Sequence, residues 1–95
     1  MKWKLAVDPK ARLDLLEARE WYEQQRAGLG DEFADEVQIT LARIQQSPEI
    51  FRIVYRHYRQ ALTKRFPYRI FYSVDKSNVF VLRVLHTSRD HVSEL

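Results

Sequence analysis

Hydrophobic periodicity in this chain changes kind twice, and the second change limits the fold more than any other feature. Between Pro9 and Ser47 apolar residues recur at helical spacing, whereas from Tyr58 to Leu85 they follow the period of 2 that belongs to strands. A short alternating run comes first. Trp3, Leu5 and Val7 against Lys2, Lys4 and Ala6 predict a strand over residues 2–7 buried on one face. Strand, helices and then strands implies an α+β layer: β-α-α-β-β-β, with a helical hairpin packed on one face of a small twisted, mostly antiparallel sheet.

The helical half has clear punctuation. Asp8 can accept from an orphan amide, and Pro9 stands at a first helical position where its missing N–H costs nothing, so a helix is expected from there to about Gln25. Ala11, Leu15, Ala18 and Tyr22 fall on one face, which Leu16 and Trp21 widen, while Asp14, Glu17, Glu20 and Glu23 lie mostly outside it. The only glycines, in Gly28-Leu29-Gly30, mark the tight turn of the hairpin. They follow a helix rather than a strand, which argues against a phosphate loop. Asp31, Glu32, Asp35 and Glu36 then crowd the first turns of a second helix, where the macrodipole favours them. Phe33, Val37, Leu41 and Ile44 make its apolar stripe, and Ser47-Pro48 stops it.

Residues 49–57 read as a loop with a short strand at Ile53 to Tyr55. Alternation returns from Tyr58 to Phe66, breaks at Pro67, and resumes with Tyr68, Ile70, Tyr72 and Val74 opposed to Arg69, Phe71 and Ser73. Asp75-Lys76-Ser77-Asn78 is a hairpin turn. Val79 to Leu85 is apolar except for Arg83, which predicts the most buried strand.

At 95 residues the chain has room for one core, so residues 1–95 are expected to form a single domain. The absence of cysteine excludes disulfides, thiolate zinc sites and cysteine nucleophiles, and is compatible with a reducing cytoplasm. No stretch has the length of a signal peptide or membrane span, so neither export nor membrane insertion is expected. The net charge of +3 hides an asymmetry: residues 1–49 carry 7 Lys/Arg against 10 Asp/Glu, and residues 50–95 carry 9 against 3. A basic second half suits an acidic partner, a nucleic acid or an acidic protein segment, although a solvated sheet edge also carries such charge.

The arginines of that half are the candidate chemistry. Arg59, Arg65, Arg69 and Arg83 are expected on the open face or rim of the sheet, with Arg89 just beyond the last strand. Each guanidinium can donate two parallel hydrogen bonds to a phosphate or carboxylate. Tyr58, Phe66, Tyr68, Phe71 and Tyr72 are interleaved with them, compatible with base stacking and equally with core packing. His86 stands at the end of the last strand, where it could move a proton or simply hold the strand end, for example by pairing with Asp90. No metal-ligand spacing supports a site from His86, Asp90 and His91, so neither metal nor cofactor is expected. If the chain is an enzyme, it is a metal-free endoribonuclease working by charge stabilisation and proton transfer.

The element order, Ala11 to Leu16, Arg65-Phe66-Pro67-Tyr68-Arg69-Ile70-Phe71-Tyr72 and Val84-Leu85-His86-Thr87-Ser88-Arg89-Asp90 together resemble the RelE/ParE superfamily of toxins from type II toxin–antitoxin modules. The resemblance covers nearly the whole chain. It implies a small cytoplasmic toxin, of the plasmid-stabilisation kind, wrapped by the C-terminal segment of a cognate antitoxin in a hetero-oligomer. It also implies one of two targets, DNA gyrase in the ParE-like branch or ribosome-bound mRNA in the RelE-like branch of mRNA interferases. Arg69 and Arg89 match basic positions of the nuclease set, with His86 as the third candidate catalytic residue. Thr87 and Ser93 stand where that set has an arginine and a tyrosine, and His86 with Arg89-Asp90 is more similar to the ParE-like ending. The ParE-like reading is favoured, with mRNA cleavage as the alternative and a non-catalytic nucleic-acid binder or decayed toxin as a second. Arg59, Arg65, Arg83, Tyr68, Trp21 and Tyr22 are then candidates for target or antitoxin binding.

Overall fold

The computed structural model describes residues 3–89 and 91–95, with the backbone alone at 91 and 92. Its elements run β1 (Lys4–Val7), α1 (Pro9–Gln25), α2 (Leu29–Gln46), a 3₁₀ turn (Pro48–Ile50), β2 (Ile53–Tyr55), β3 (Tyr58–Leu62), β4 (Tyr68–Asp75), β5 (Asn78–His86) and a last helical turn, α3 (His91–Glu94). The five strands form one sheet in the order β1-β5-β4-β3-β2. Only the β1–β5 pair is parallel, and α1 and α2 lie together as a hairpin over one face. The expected α+β arrangement is therefore present, and the short strand expected at Ile53 to Tyr55 is β2, at the sheet edge. The first strand is shorter than the expected 2–7, and Lys2 lies outside the described residues.

Local chemistry sets the boundaries. The Asp8 carboxylate accepts from Lys10 N–H at 2.8 Å and caps α1 ahead of Pro9. Gly28 adopts φ +90°, the left-handed turn expected of it. Gly30 has a different role: it already belongs to α2, where a Cβ would meet the Arg19 carbonyl oxygen at 2.7 Å. Its side chain is absent so that two helices can touch. No side chain on α2 caps that helix, and Glu23 reaches across from α1 to accept from Gly28 N–H and Gly30 N–H, both at 2.9 Å. The acidic first turns of α2 also make contacts: Asp31 pairs with Arg19, Glu32 with Arg26 and Arg65, and Glu36 accepts from Lys64 N–H at 2.9 Å.

The core lies between hairpin and sheet. Ala11 and Ala18 of α1 and Phe33, Val37, Leu41 and Ile44 of α2 pack on Ala61, Ile70, Tyr72, Val79, Val81 and Val84. Leu16 and Trp21 do not widen this face; they are 64% and 55% exposed. β3 ends at Leu62 rather than Phe66, because Thr63 closes a local turn, its hydroxyl donating to the Phe66 carbonyl and its N–H to the Tyr68 carbonyl. Phe66 then turns inward against Tyr22 and Phe33. On the face away from the hairpin, Phe71 and Leu85 are also buried, so that face is not simply open.

One irregularity decides which side chains share a face. Phe71 pairs with Arg83 but Tyr72 with Val81, which leaves Leu82 as an extra residue in β5. The bulge keeps Val81 and Val84 both toward the helices despite their odd separation. β1 has ended at the level of Val81, so the outer edge of β5 beyond it lacks a strand partner. Asp14 of α1 supplies the missing acceptor, taking the Val84 N–H at 2.9 Å.

Candidate functional site

Rings run in a connected series from the core to the surface at one end of the sheet. Tyr22 stacks on Phe33 with centroids 5.3 Å apart and meets Phe66 edge-on at 4.8 Å. Trp21 packs edge-on to Tyr22 at 5.1 Å, and Tyr68 edge-on to His86 at 5.3 Å. β4 and β5 pair Tyr68 directly with His86, so both rings leave the sheet on the helix side. The space between these rings and α1 is an open groove of about 190 Å³, lined by Asp14, Glu17, Ala18, Trp21, Tyr68, Val84, His86 and Arg89. It continues past Tyr22 and Ser88. Half-exposed aromatic rings flanked by two carboxylates and a guanidinium give this groove both an apolar anchor and polar handles.

Hydrogen bonds fix the polar rim. The Arg83 guanidinium donates to both Asp14 oxygens, at 2.8 and 2.9 Å, and to Glu94 at 3.1 Å. Arg89 donates to the other Glu94 oxygen at 2.7 Å, so Glu94 bridges two guanidiniums and its carboxyl is held below the usual range, chiefly by Arg89. His86 Nδ1 accepts the Ser88 N–H at 3.1 Å with the Ser88 hydroxyl at 2.8 Å. A backbone N–H can only donate, which makes Nε2 the protonated nitrogen of the neutral ring. This is a strand-end role for His86, with Ser88 as the partner; Asp90 lies outside the described residues. Burial beside the Tyr22 ring pushes the Tyr68 phenol up to about 12.

Five of the residues singled out from the sequence line this groove: Trp21, Tyr22, Tyr68, His86 and Arg89. The expected single face of arginines is not what the fold builds. Arg59 opposes Tyr72 and donates to the carbonyls of Glu49 and Phe51, at 3.0 and 2.7 Å. Arg65 follows the end of β3 and pairs with Glu32 of α2 at 2.7 Å. Arg83 is only 16% exposed and ties α1 to the end of the chain. Arg69 lies on the face away from the helices, where it donates to Gln60 at 3.2 Å and its Nε is buried without a partner. Sequence reasoning passed over Asp14 and Glu94. The usable signal was Arg83 itself, because a lone arginine in an apolar strand requires a carboxylate from a neighbouring element. Among the described residues no group of three or more His, Asp or Glu could hold a metal, and a site including Asp90 and the His91 side chain falls outside them. No helix among the described residues is long and apolar enough to cross a membrane.

A helical hairpin on a five-stranded sheet with one parallel pair is the β-α-α-β-β-β fold that the resemblance to the RelE/ParE superfamily toxins implies. A chain described as "Chromosomal ParDE TA system from P. aeruginosa" superposes with a TM-score of 0.71 at 18% identity, over 90% of this chain and 96% of that one. No curated protein matches the sequence significantly. Residues 5–91 match the ParE toxins of type II toxin–antitoxin systems, parDE, and the chain belongs to that family.

Proposed function

We propose that this toxin acts on DNA gyrase without cleaving nucleic acid, and that a cognate antitoxin silences it by seating a segment in the groove of Trp21, Tyr22, Tyr68 and His86. The parity of β4 carries the argument against cleavage. Tyr68 and Ile70 point to the helices, so Arg69 points the other way, and the sheet lies between Arg69 and the pair His86 and Arg89. Catalytic groups must reach one substrate together, within about 3 Å of the atoms they serve. The three arginine and histidine candidates do not meet on one face. Thr87 and Ser93 add no group that could replace the missing partner.

The antitoxin part rests on the groove. A half-exposed tryptophan beside two tyrosines and a histidine has the composition of an interface anchor, and Asp14, Glu17 and Arg89 give its rim charges of both signs. The toxin and antitoxin would then form a hetero-oligomer.

One observation favours a second reading: His86 and Arg89 line the same groove. A metal-free endoribonuclease could use the His86 Nε2 for proton transfer and the Arg89 guanidinium for phosphate charge. Purified chain distinguishes the two. Inhibition of gyrase supercoiling with ribosome-bound mRNA left intact is the expected result; cut mRNA that becomes intact with His86→Ala would establish the nuclease instead. Expression should arrest growth, and co-expression of the neighbouring antitoxin gene should restore it. No arrest would remove the activity from this chain.

A further inference from the structure

Arginines in this protein differ in their partners, and among the described residues Arg12, Arg43 and Arg69 form no ion pair with a carboxylate. Arg19, Arg26, Arg65, Arg83 and Arg89 are each paired with a carboxylate. Around the β2–β3 corner the described residues give Arg52, Arg56 and Arg59 no carboxylate partner. The sequence explains why: from Ile50 to Val74 there is no Asp or Glu, while Arg52, Arg56, Arg59, Lys64, Arg65 and Arg69 are all basic. Arg59 is bound to backbone carbonyls, whereas Arg52 and Arg56 are exposed, with Arg56 hydrogen-bonded to the Tyr55 side chain.

Planar groups are assembled at the same corner. Tyr55 and Tyr58 stack with centroids 6.3 Å apart and planes 20° from parallel. The Arg56 guanidinium lies 5.3 Å from the Tyr55 ring, and the His57 ring 4.4 Å from that of Tyr58. The contacts link Arg56, Tyr55, Tyr58 and His57 in that order, with the His57 ring tilted 37° to Tyr58 and with Arg56 and His57 exposed. Arg56 holds φ +52°, a left-handed turn conformation more often given to Gly or Asn. Ile50 and Ile53 beside it are 77% and 53% exposed. A charged edge that served only to block aggregation would need neither the stacked rings nor the exposed isoleucines.

We propose that the β2–β3 corner is a second recognition site, at the sheet edge opposite β1, for single-stranded nucleic acid. Phosphates are held by Arg52 and Arg56, and a base continues the series over His57. Stacking decides in favour of a nucleic acid over an acidic peptide, because a peptide carboxylate uses the guanidiniums but has no use for the planar rings. The site is separate from the groove, so its failure would leave the gyrase reading untouched.

Fluorescence anisotropy of a labelled ten-residue oligothymidylate with the full chain, measured across a salt series, tests it. Removing both guanidiniums, Arg52→Ala with Arg56→Gly, should flatten the slope of log affinity against log salt by about 1.4, at roughly 0.7 per lost phosphate contact. Glycine at 56 keeps the left-handed turn, and an unchanged melting temperature shows the fold intact. Lys76→Ala, at the β4–β5 turn, should leave the slope as it is. His57→Ala should weaken binding roughly tenfold for the base-bearing strand and leave an abasic strand of equal length unaffected. No binding, a slope unmoved by the double change, or equal weakening of both strands by His57→Ala overturns the proposal. Displacement of the strand by an equal concentration of decaglutamate also overturns it and makes an acidic protein segment the occupant.

Discussion

Asp14 accepts three hydrogen bonds, two from the Arg83 guanidinium and one from Val84 N–H, and through them α1 is fastened to the strand that ends in His86. Both side chains are largely out of solvent, at 10% and 16% exposure, so removing one partner leaves the other charge poorly hydrated. Asp14→Ala is expected to cost about 2–4 kcal/mol of unfolding free energy, read from urea denaturation. Arg83→Met should cost a similar amount, because Asp14 keeps its bond to Val84 N–H just as Arg83 keeps Glu94 in the first variant. Trp21 is the opposite case. It is 55% exposed and meets Tyr22 edge-on, so Trp21→Ala should change stability by less than about 1 kcal/mol. The same change should weaken antitoxin binding at least about tenfold if the ring is the groove's anchor, as titration calorimetry would measure. Arg83 was legible in the sequence as the one charge in an apolar strand, and Trp21 only as an apolar residue of the first helix and a binding candidate. Their partners were not, because a partner is set by how elements pack rather than by spacing along one of them.

Elements were readable where a cap or a breaker marks an end. Asp8-Pro9 and Ser47-Pro48 bound the helices correctly, since each acts through its own backbone. β3 was read four residues too long, to Phe66, because Thr63 to Phe66 still alternate in the sequence while their hydrogen bonds close a turn. The glycine pair shows the same division. Gly28 answers to its own backbone angle, and Gly30 to a neighbouring helix that the sequence does not reveal. Substitution separates the two. Gly28→Ala meets no neighbour and should cost about 1–2 kcal/mol through its left-handed φ alone. Gly30→Ala improves helix propensity, yet its methyl would meet the Arg19 carbonyl at 2.7 Å and the Glu23 carboxylate at 2.9 Å, and so would separate the helices and displace the α2 cap. A net loss of about 2 kcal/mol or more is expected, larger than at Gly28 and visible as a lower melting temperature.

For the molecule as a whole, the two-layer architecture followed from the changes of period, and the toxin family from the element order, Ala11 to Leu16 and two short segments in the last third. The distribution of arginines over faces did not, because the bulge at Leu82 resets the parity of β5 and helices claim Arg65 and Arg83 from outside the sheet. The same packing gives the molecule an alkaline limit. Tyr72 is fully buried with its hydroxyl donating to the Pro48 carbonyl at 2.6 Å, and burial raises its phenol above the ordinary value of 10.0. Tyr68 is raised to about 12, also chiefly by burial. Both groups are neutral acids in the folded chain, so the sign is fixed. Below pH 10 neither state has lost a phenolic proton and stability is at its full value. From about pH 10 toward 12 the unfolded chain releases protons that the folded chain retains, and unfolding becomes easier by up to about 1.4 kcal/mol per pH unit for each phenol. Tyr68→Phe should therefore remove about half of the extra loss. Tyr72→Phe should lower stability by about 1 kcal/mol at pH 8, where the bond to Pro48 is missed, and narrow that deficit as pH rises. Urea denaturation at pH 8, 10 and 11 reads the parent, the two single variants and the double variant. An alkaline limb in the double phenylalanine variant as steep as in the parent would mean that these two phenols titrate normally, and that the burial seen at the centre of the sheet does not hold them neutral.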